Sequence, residues 1–584
     1  MSLKATVQHQ HLKNASIVLA GAAGQGIETV AEFLATVLKL TGYNVFVTRE
    51  FMSRIRGGTN SLQIRVSSEE LGSYSQRSDI VFPLTEESIP HLAKYGRFSD
   101  QTIIIGEKKI LDSSDLSSPR LIPLPFQKIA NDIGGRIYAN TIAAGVVADI
   151  FGVTEDTAHA FLKKRFSGKG EEIINKNLKA FQAGKKYGHE LIKSGLIKIR
   201  IKPDKNVTEK ILLSGTEAIA LGALAGGCNF IASYPMSPST GVLVFLSSRA
   251  KKMGIVVDQA EDEISAINKG IGAWYAGGRA IVTTSGGGFS LMAEGLSLSG
   301  MTETPIVIHL AQRPGPATGL PTRTEQGDLQ LALYSGHGEF PRVIYAPGTP
   351  SDGFSLTQGA FNVADKFQVP VIILTDQYFL DSTFTDKSID LDKFKIENHV
   401  IETKAGYQRY KLTRDGVSPR GIPGYGLGLV NVDSDEHDED GHITEDLHLR
   451  SRMVDKRLKL KLEKLRSESL EPRLIGSKNC TTLVVCWGSN YYSILEALRN
   501  IGKDDLGMLY FNQVYPLHKS TQGFLEEADQ VLSIENNATG QFSRLIRAET
   551  GFSIRDENML LKYDGLPFPV EKVQKFIENK FGGN

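Results

Sequence analysis

Cysteine is nearly absent from this chain, which carries only Cys228, Cys480 and Cys486 among 584 residues. No two of them are spaced C-x-x-C, so we do not expect a disulfide scaffold, a Cys₄ zinc site or an iron–sulfur cluster ligated by this chain alone. An excess of one charge is absent too, because 66 lysines and arginines balance 66 aspartates and glutamates. That balance argues against a protein that binds nucleic acid through a general basic field.

Long hydrophobic runs are also missing from the sequence. The apolar stretch 16–23 is far shorter than the ~20 residues that a membrane-spanning helix needs, and no signal-peptide cleavage pattern follows it. These absences predict a cytoplasmic protein without membrane segments. At roughly 150 residues per domain, the length predicts several domains.

Short β-branched runs alternate with helix-like segments along most of the chain, which predicts a multidomain α/β protein built on doubly wound sheets. The strand candidates at 16–21, 44–49, 79–84 and 102–106 form a first unit, and longer ones between 230 and 376 form a second. The alternation is lost around 402–466 and returns near the end. The predicted domains are 1–195, 211–400 and 476–584, with a linker at 196–210 and an irregular connecting segment at 401–475.

The chain contains 58 glycines, and the first functional pattern is glycine-rich. The sequence GAAGQG (21–26) follows the first strand and precedes a predicted helix over 27–40, an arrangement that suits a phosphate group. Its spacing differs from the dinucleotide fingerprint G-x-G-x-x-G. NAD, another phosphate-bearing ligand and a purely structural turn therefore all stay open. Arg54 and Arg56 in RIRGGTN (54–60) could bind a phosphate or a carboxylate, or lie in a solvated loop.

Hydroxyl groups and arginines follow several strands of the second unit. Tyr234 begins the sequence YPMSPST, in which Ser237 presents a hydroxyl at the carboxyl edge of the sheet, where α/β proteins bind ligands. Arg313 ends a later strand and Arg323 follows ten residues on. Guanidinium groups pair well with carboxylates, so these residues predict an anionic substrate, although a plain turn and surface ion pairs explain them too.

Acidic residues precede a helix-like run in QAEDE (259–263), where they could simply cap the helix. The following strand ends in SGGG (285–288). Its Ser285 and Gly286 allow a close approach of the backbone to a flat or charged ligand, or merely a tight turn.

Taken in order, YPMSPST, QAEDE, TTSGGGFSLM and PTRTEQGDL resemble the α subunit of 2-oxoacid:ferredoxin oxidoreductases. GAAGQG and RGGTN ahead of them resemble the γ portion of that family, here fused to α, and GVSPRGIPG, SIENNATGQ and KYDGLPF match the family as well. The substrate turn departs from the usual Y-P-I-T-P, because Met236 and Ser237 stand in place of Ile and Thr. The resemblance implies a γ domain at 1–195, a thiamine-diphosphate pyrimidine-binding domain at 211–400 and a transketolase C-terminal-like domain at 476–584.

The resemblance also implies roles for the candidate residues. Glu261 would hydrogen-bond the aminopyrimidine of thiamine diphosphate, with Glu263 as the alternative if the register differs by two. Ser285 and Gly286 would contact the same cofactor. Tyr234 and Ser237 would contact the oxo acid, and Arg323, or else Arg313, would bind its carboxylate. The γ residues implied to bind the phosphates or pantetheine of coenzyme A are Gly24, Gln25, Gly26, Arg56 and Gly57.

The chain lacks the G-D-G…N segment that holds magnesium on the diphosphate, and it lacks cluster-binding cysteines. The family's division of labour assigns the diphosphate site, Mg²⁺ and a [4Fe–4S] cluster to a separate β subunit, so no metal site is expected here. The expected assembly is an (αβ)₂ heterotetramer that passes electrons to ferredoxin.

The predicted reaction is the coenzyme A-dependent oxidative decarboxylation of a 2-oxo acid, with 2-oxoglutarate favoured over pyruvate or a branched 2-oxo acid. The rival hypotheses are a non-catalytic nucleotide-binding scaffold and a transketolase-like enzyme complete in one chain.

Overall fold

The computed structural model describes residues 10–11, 13–22, 27–51, 58–112 and 120–581. The chain divides into two compact units. The first comprises 1–213 with the short returns 382–388 and 569–571, and the second comprises the rest. The boundary between the two units, after residue 213, lies three residues beyond the predicted linker at 196–210. Within that stretch Ile197 and Ile201 are buried in the first unit's core.

The first unit is built on an eight-stranded mixed sheet, and a separate pair of two-residue strands joins Gln10–His11 to Ile199–Arg200. The strands of this unit are β1 (Gln10–His11), β2 (Asn14–Ala22), β3 (Asn44–Glu50), β4 (Thr59–Ser67), β5 (Ile80–Pro83), β6 (Ile103–Gly106), β7 (Arg120–Pro123), β8 (Ile199–Arg200), β9 (Ile211–Ser214) and, much later in the chain, β16 (Thr383–Asp386). The order in the large sheet is β7-β6-β5-β2-β4-β3-β16-β9.

The sheet of the first unit differs from the predicted doubly wound pattern at β4 and β16. β4 lies antiparallel between β2 and β3, and β16 lies antiparallel to β3. Neither was among the predicted strands. The predicted strands β2, β5 and β6 are parallel to one another, and β7, which was not predicted, continues this parallel part. The helices of this unit are α1 (Ile27–Thr41), α2 (Ser88–Lys94), α3 (Lys108–Asp112), α4 (Phe126–Ile133), α5 (Ala139–Ile150), α6 (Glu155–Phe166) and α7 (Glu171–Lys193).

α5 and α7 pack closely because glycines face each other across the contact. A Cβ on Gly184 would lie 2.0 Å from the backbone oxygen of Ile142, and one on Gly145 would lie 2.3 Å from that of Phe181. No side chain fits at those distances, so the two backbones touch and the helix pair is rigid.

The second unit contains two sheets that are mainly parallel. Its seven-stranded sheet has the order β11-β10-β12-β13-β15-β14-β20, and only β20 is antiparallel to its neighbour. The strands are β10 (Phe230–Ser233), β11 (Val256–Gln259), β12 (Ala280–Thr284), β13 (Ile306–Gln312), β14 (Val343–Tyr345), β15 (Pro370–Asp376) and β20 (Gln513–Tyr515). The five-stranded sheet has the order β17-β19-β18-β21-β22, made of β17 (Arg473–Gly476), β18 (Thr482–Trp487), β19 (Leu506–Phe511), β21 (Gln530–Glu535) and β22 (Met559–Leu561).

Helices cover both sheets of the second unit. They are α8 (Gly215–Ala225), α9 (Thr240–Ser247), α10 (Ala250–Met253), α11 (Glu263–Tyr275), α12 (Gly286–Leu291), α13 (Ala293–Thr302), α14 (Leu329–Tyr334), α15 (Pro350–Phe367), α16 (Gln377–Asp381), α17 (Leu447–Val454), α18 (Lys461–Ser467), α19 (Tyr491–Ile501), α20 (Thr521–Glu526), α21 (Gln541–Thr550) and α22 (Val570–Phe581). Among the helices that the structure describes, none is both long and apolar enough to cross a membrane.

Residues 394–446 are all described and contain no helix and no strand beyond isolated bridges. A buried ion cluster fixes the helical end of this segment to the second unit. Glu303, at the carboxyl end of α13, accepts hydrogen bonds from Lys456 at 2.6 Å and from Lys461 at 2.5 Å, and all three side chains are at most 1% exposed. The two lysines hold the pKa of Glu303 well below its usual range, against the effect of burial.

Candidate functional site

The candidate residues of the second unit meet at the carboxyl edge of the seven-stranded sheet. β10, β12 and β13 are parallel neighbours there, and they end at Ser233, Thr284 and Gln312. The turn YPMSPST, the triple glycine and Arg313 therefore follow adjacent strands at one edge, where open α/β sheets bind ligands.

Three consecutive acidic residues beside this edge point in different directions. Asp262 is the N-cap of α11, and its carboxylate accepts the backbone N–H of Ser265 at 2.7 Å. Capping therefore explains Asp262 and leaves Glu261 and Glu263 to be assigned.

Glu261 lies at the surface, with 76% of its side chain exposed. It accepts hydrogen bonds from Ser265 at 2.8 Å and from Lys269 at 3.2 Å. Hydrogen bonds from its own backbone amide, from Ser265 and from Lys269 lower the pKa of Glu261 to about 2. A carboxylate that is solvated, ion-paired and strongly acidic does not have the dry surroundings that the predicted cofactor contact requires.

Glu263 has those surroundings. It is 3% exposed, and within the described residues its Oε1 has no hydrogen-bond partner. Burial raises the pKa of this carboxyl above its ordinary value. A buried polar atom without a partner costs free energy, on the order of 1–3 kcal/mol, so Oε1 calls for a ligand atom.

The triple glycine allows two carboxylates to approach the start of α12. A Cβ on Gly288 would lie 2.4 Å from Oε1 of Glu263, and a Cβ on Gly286 would lie 2.5 Å from Oδ2 of Asp328. Oδ2 of Asp328 and the hydroxyl of Ser285 are buried and, like Oε1 of Glu263, lack partners within the described chain. Three unsatisfied polar atoms thus surround one glycine-lined turn.

Asp328 and its neighbour Glu325 were not assigned a role from the sequence. Burial raises the pKa of Asp328 to about 6, although the Arg313 guanidinium opposes the shift. Burial, Asp328 and Asp564 together raise the pKa of Glu325 to about 7. Both groups therefore titrate near neutral pH, which is typical of functional sites. Both acids follow Arg323 within the sequence PTRTEQGDL, and this proximity is the sequence feature that could have indicated them.

The predicted substrate turn lies at the same edge. Tyr234 is 41% exposed, and Ser237 is half-buried with its backbone oxygen accepting a hydrogen bond from Nη1 of Arg313 at 2.8 Å. Arg313 therefore contacts the turn and faces Asp328. This makes Arg313 a support for the turn.

Arg323 is held by the last part of the chain. The backbone N–H of Thr324 donates to Gly565 at 3.1 Å, and a Cβ on Gly565 would lie 3.1 Å from Cβ of Arg323. Gln326 donates to the backbone oxygen of Trp487 and accepts from Asn490. The segments SIENNATGQ and KYDGLPF lie on or beside this five-stranded sheet, and they fix the loop that carries Arg323.

The γ residues Gly24, Gln25, Gly26, Arg56 and Gly57 lie outside the described residues, so their assignment stays a prediction. Within the described part of the chain, no three His, Cys, Asp or Glu residues are arranged to hold a metal ion.

Comparison with known proteins identifies the family. The sequence is 31% identical to the 2-oxoacid:ferredoxin oxidoreductase α subunit of a Sulfolobus species, covering 96% of both chains. The chain belongs to this family of α subunits. Residues 221–456 match the family model of the thiamine diphosphate-binding region of pyruvate flavodoxin/ferredoxin oxidoreductase, and residues 16–187 match the model "pyruvate ferredoxin/flavodoxin oxidoreductase".

Related 2-oxoacid:ferredoxin oxidoreductases include proteins named for 2-oxoglutarate. One is subunit KorA of the 2-oxoglutarate oxidoreductase of Mycobacterium tuberculosis, 27% identical over 99% of this chain and 93% of that one. A solved structure of the Magnetococcus marinus 2-oxoglutarate:ferredoxin oxidoreductase, with 2-oxoglutarate, coenzyme A and succinyl-CoA bound, superposes with a TM-score of 0.89. It is 29% identical and covers 97% of this chain and 100% of its own. The family, the oxidoreductase class and the α/β fold class predicted from the sequence are confirmed.

Proposed function

We propose that this chain is the α subunit, with a fused γ portion, of an oxidoreductase that converts 2-oxoglutarate. The reaction is 2-oxoglutarate plus coenzyme A plus two oxidised ferredoxins, giving succinyl-CoA, carbon dioxide, two reduced ferredoxins and a proton. The 2-oxoglutarate enzymes among the relatives, and the ligands of the Magnetococcus structure, support this substrate and coenzyme A. Pyruvate or a branched 2-oxo acid is the alternative outcome of a substrate panel. We place the enzyme in the cytoplasm.

Thiamine diphosphate, when bound, supplies a thiazolium carbon that adds to the 2-oxo group and an electron sink for decarboxylation. The residues at the sheet edge fit its pyrimidine ring. Glu263 offers a buried oxygen without a partner and a raised pKa, so its carboxyl can share a proton with a ring nitrogen. Gly288 leaves room for that carboxyl, and Ser285 adds a second unsatisfied group. This buried, unpaired Glu263 is the observation that carries the proposal, and it replaces Glu261 in the role.

Substrate binding is assigned to the turn and to Arg323. The Ser237 hydroxyl and Tyr234 contact the oxo acid, while Arg313 holds the turn from behind through the Ser237 backbone oxygen. Arg323, which the family resemblance favours, is our candidate for binding the substrate carboxylate, with Arg313 as the alternative. The γ residues named above remain our prediction for the coenzyme A site.

A partner subunit is supported by the surface beside Glu263. Three helices that follow strands of this sheet each expose an apolar side chain: Val244 in α9 by 60%, Ile264 in α11 by 49% and Leu291 at the end of α12 by 51%. Exposed apolar groups that form a contiguous patch mark a protein interface. We assign this surface to the β subunit, which would bring the diphosphate site, Mg²⁺ and the [4Fe–4S] cluster in an (αβ)₂ assembly.

The test is a matched pair of substitutions in the complex with its partner subunit. We expect Glu263→Gln to lower turnover by about 10²–10⁴-fold, the scale for losing a positioned proton-transfer group. Glu261→Gln, two residues away and equally isosteric, should leave turnover within about twofold. The reverse result would return the role to Glu261. A complex that shows no 2-oxo acid oxidation at all would favour the scaffold hypothesis.

A further inference from the structure

A cavity of about 280 Å³ lies in the second unit at the edge of the sheet opposite the catalytic residues. Gly277 and Arg279, which line it, come just before β12 begins at Ala280, whereas the triple glycine follows the other end of β12. A five-residue strand is about 17 Å long. The cavity is therefore separate from the proposed thiamine diphosphate site.

The sequence segment GVSPRGIPGYG (416–426), which the catalytic site does not use, supplies one wall. The full lining is Gly277, Arg279, Asp365, Ile396, Asn398, Val400, Arg420, Ile422 and Tyr425. Ile396 and Tyr425 are about half exposed, at 56% and 49%, and mark the opening. The volume is just below the range of about 300–1,000 Å³ typical of ligand pockets, which points to a small ligand.

Buried charge in this cavity is unbalanced. Asp365 is the one carboxylate of the lining, and it pairs with Arg279 at 3.0 Å and Arg420 at 2.8 Å. Burial lowers the pKa of both Arg279 and Arg420, and a neighbouring cation lowers each further, Arg420 in the case of Arg279 and Arg409 in the case of Arg420. The exposed Glu397 acts on Arg279 in the opposite direction. The walls thus carry one buried positive charge in excess.

One N–H donor of the two cavity arginines lacks an acceptor among the residues described. Arg279 donates to Gly226, Asp365, Glu397 and Asn362, so its guanidinium is satisfied. Arg420 is 4% exposed, and its Nη1 donates to the backbone oxygen of Trp274. Its Nε has no hydrogen-bond partner among the residues described. A buried cationic donor without a partner is satisfied best by an anion.

We propose that this cavity binds a small aliphatic carboxylate. Its carboxylate would accept a hydrogen bond from Nε of Arg420, and its hydrocarbon part would lie against Ile396, Val400 and Ile422. A monoanion matches the single excess charge, and the aliphatic walls favour a hydrocarbon tail. Phosphate fits less well, because its oxygens need several donors and most donors here already serve Asp365 and backbone oxygens.

The experiment is ligand-observed NMR on the full-length chain, with butyrate as the probe. Butyramide, which has the same shape without the charge, is the control ligand, and inorganic phosphate is the rival anion. Arg420→Lys keeps the charge and removes the Nε donor. Val400→Phe fills the cavity, and Ile396→Trp covers its opening from a half-exposed position that does not threaten folding.

We expect butyrate to bind at least tenfold more tightly than butyramide. Binding should weaken about tenfold in Arg420→Lys, disappear in Val400→Phe or Ile396→Trp, and stay unchanged in Arg323→Ala, which alters the catalytic edge. Equal binding of butyramide, or butyrate binding that survives both filling variants, overturns the proposal. Loss of binding in Arg323→Ala would move the butyrate to the substrate site, and Arg420-dependent binding of phosphate in preference to butyrate would replace the carboxylate. None of these outcomes depends on the proposed function.

Discussion

A single methyl group at Gly288 should displace the carboxyl on which the proposed chemistry depends. In Gly288→Ala the new Cβ would lie 2.3 Å from Oγ1 of Thr284 and 2.4 Å from Oε1 of Glu263. Carbon atoms do not approach oxygen atoms so closely, and Thr284 is completely buried in β12. Both contacts must be relieved, so the Glu263 carboxyl moves together with the Thr284 hydroxyl or with the first turn of α12.

The size of the effect follows from that displacement. Relief of the contact needs a shift of Oε1 by about 1 Å, and a misplacement of this size costs about 10²-fold in rate. Overpacking costs about 1–3 kcal/mol of stability, but replacing glycine by alanine inside a helix returns up to about 1 kcal/mol. We therefore expect a fall in turnover of about 10²-fold with a change in unfolding free energy of about 2 kcal/mol or less.

The assay compares Gly288→Ala with Gly287→Ala in the complex, by 2-oxo acid-dependent ferredoxin reduction. A Cβ on Gly287 would meet no atom nearer than the backbone oxygen of Ala317 at 3.7 Å. Both variants add the same methyl group to the same helix, so intrinsic helix propensity cancels in the comparison. Full activity in Gly288→Ala, or equal losses in both variants, would refute the placement of Glu263 beside the cofactor.

Three further predictions test the charges of the second unit. In initial-rate measurements Arg323→Ala should raise the KM for the oxo acid at least about tenfold, the scale of one lost hydrogen bond to a charged group. The KM for coenzyme A should stay within about twofold of wild type. Equal changes in the two KM values would favour Arg313 instead. Burial raises the pKa of Asp328 to about 6, so the folded protein binds the proton of Asp328 more tightly than the unfolded chain does. The stability of the fold therefore falls as the pH rises from the ordinary aspartate pKa, about 4, to about 6. Asp328→Asn should therefore stabilise the protein relative to wild type more at pH 8 than at pH 4, by up to about 3 kcal/mol of unfolding free energy. Urea titrations in which variant and wild type differ by the same amount at both pH values would contradict this. Glu303→Gln should cost about 3–5 kcal/mol of unfolding free energy, because it leaves two buried lysines without a counter-charge. The control Glu172→Gln, in an exposed pair, should leave the urea unfolding midpoint unchanged within error, and equal shifts in the two variants would contradict the prediction.

The parallel strands could be predicted from the sequence because they are continuous apolar runs followed by turn residues. β12, β13 and β15 are buried along their whole length and were all expected. β4 was not, since its sequence TNSLQIRVS carries Gln63 and Arg65. These polar side chains are buried and hydrogen-bonded: Gln63 donates to Ser16, and Nη1 of Arg65 donates to Ser73. A hydrophobicity pattern does not reveal strands of this kind.

That the candidate residues share one sheet edge could also be predicted, but the choice between the two glutamates could not. N-cap preference favours Asp262 in the run EDE, but it does not say which flanking glutamate is buried. The structure distinguishes them by their contacts, because Glu263 lies against Gly288 and Glu261 accepts a hydrogen bond from Lys269. The contact between Asp328 and Gly286 joins positions 42 residues apart, which no local pattern encodes.

The raised pKa values at this edge resolve an electrostatic difficulty in binding an anionic substrate. Glu263 and Asp328 lie against the triple glycine, and Asp328 interacts in turn with Glu325. Ionised carboxylates at these positions would repel a 2-oxo acid and oppose the attraction of Arg313 and Arg323. Burial, Asp328 and Asp564 raise the pKa of Glu325 to about 7, and burial raises that of Asp328 to about 6, so part of this negative charge is absent near neutral pH. Burial of these acids thus leaves the arginines a larger share of the charge that an oxo acid would meet. Affinity for the oxo acid should consequently fall as the pH rises through about 7.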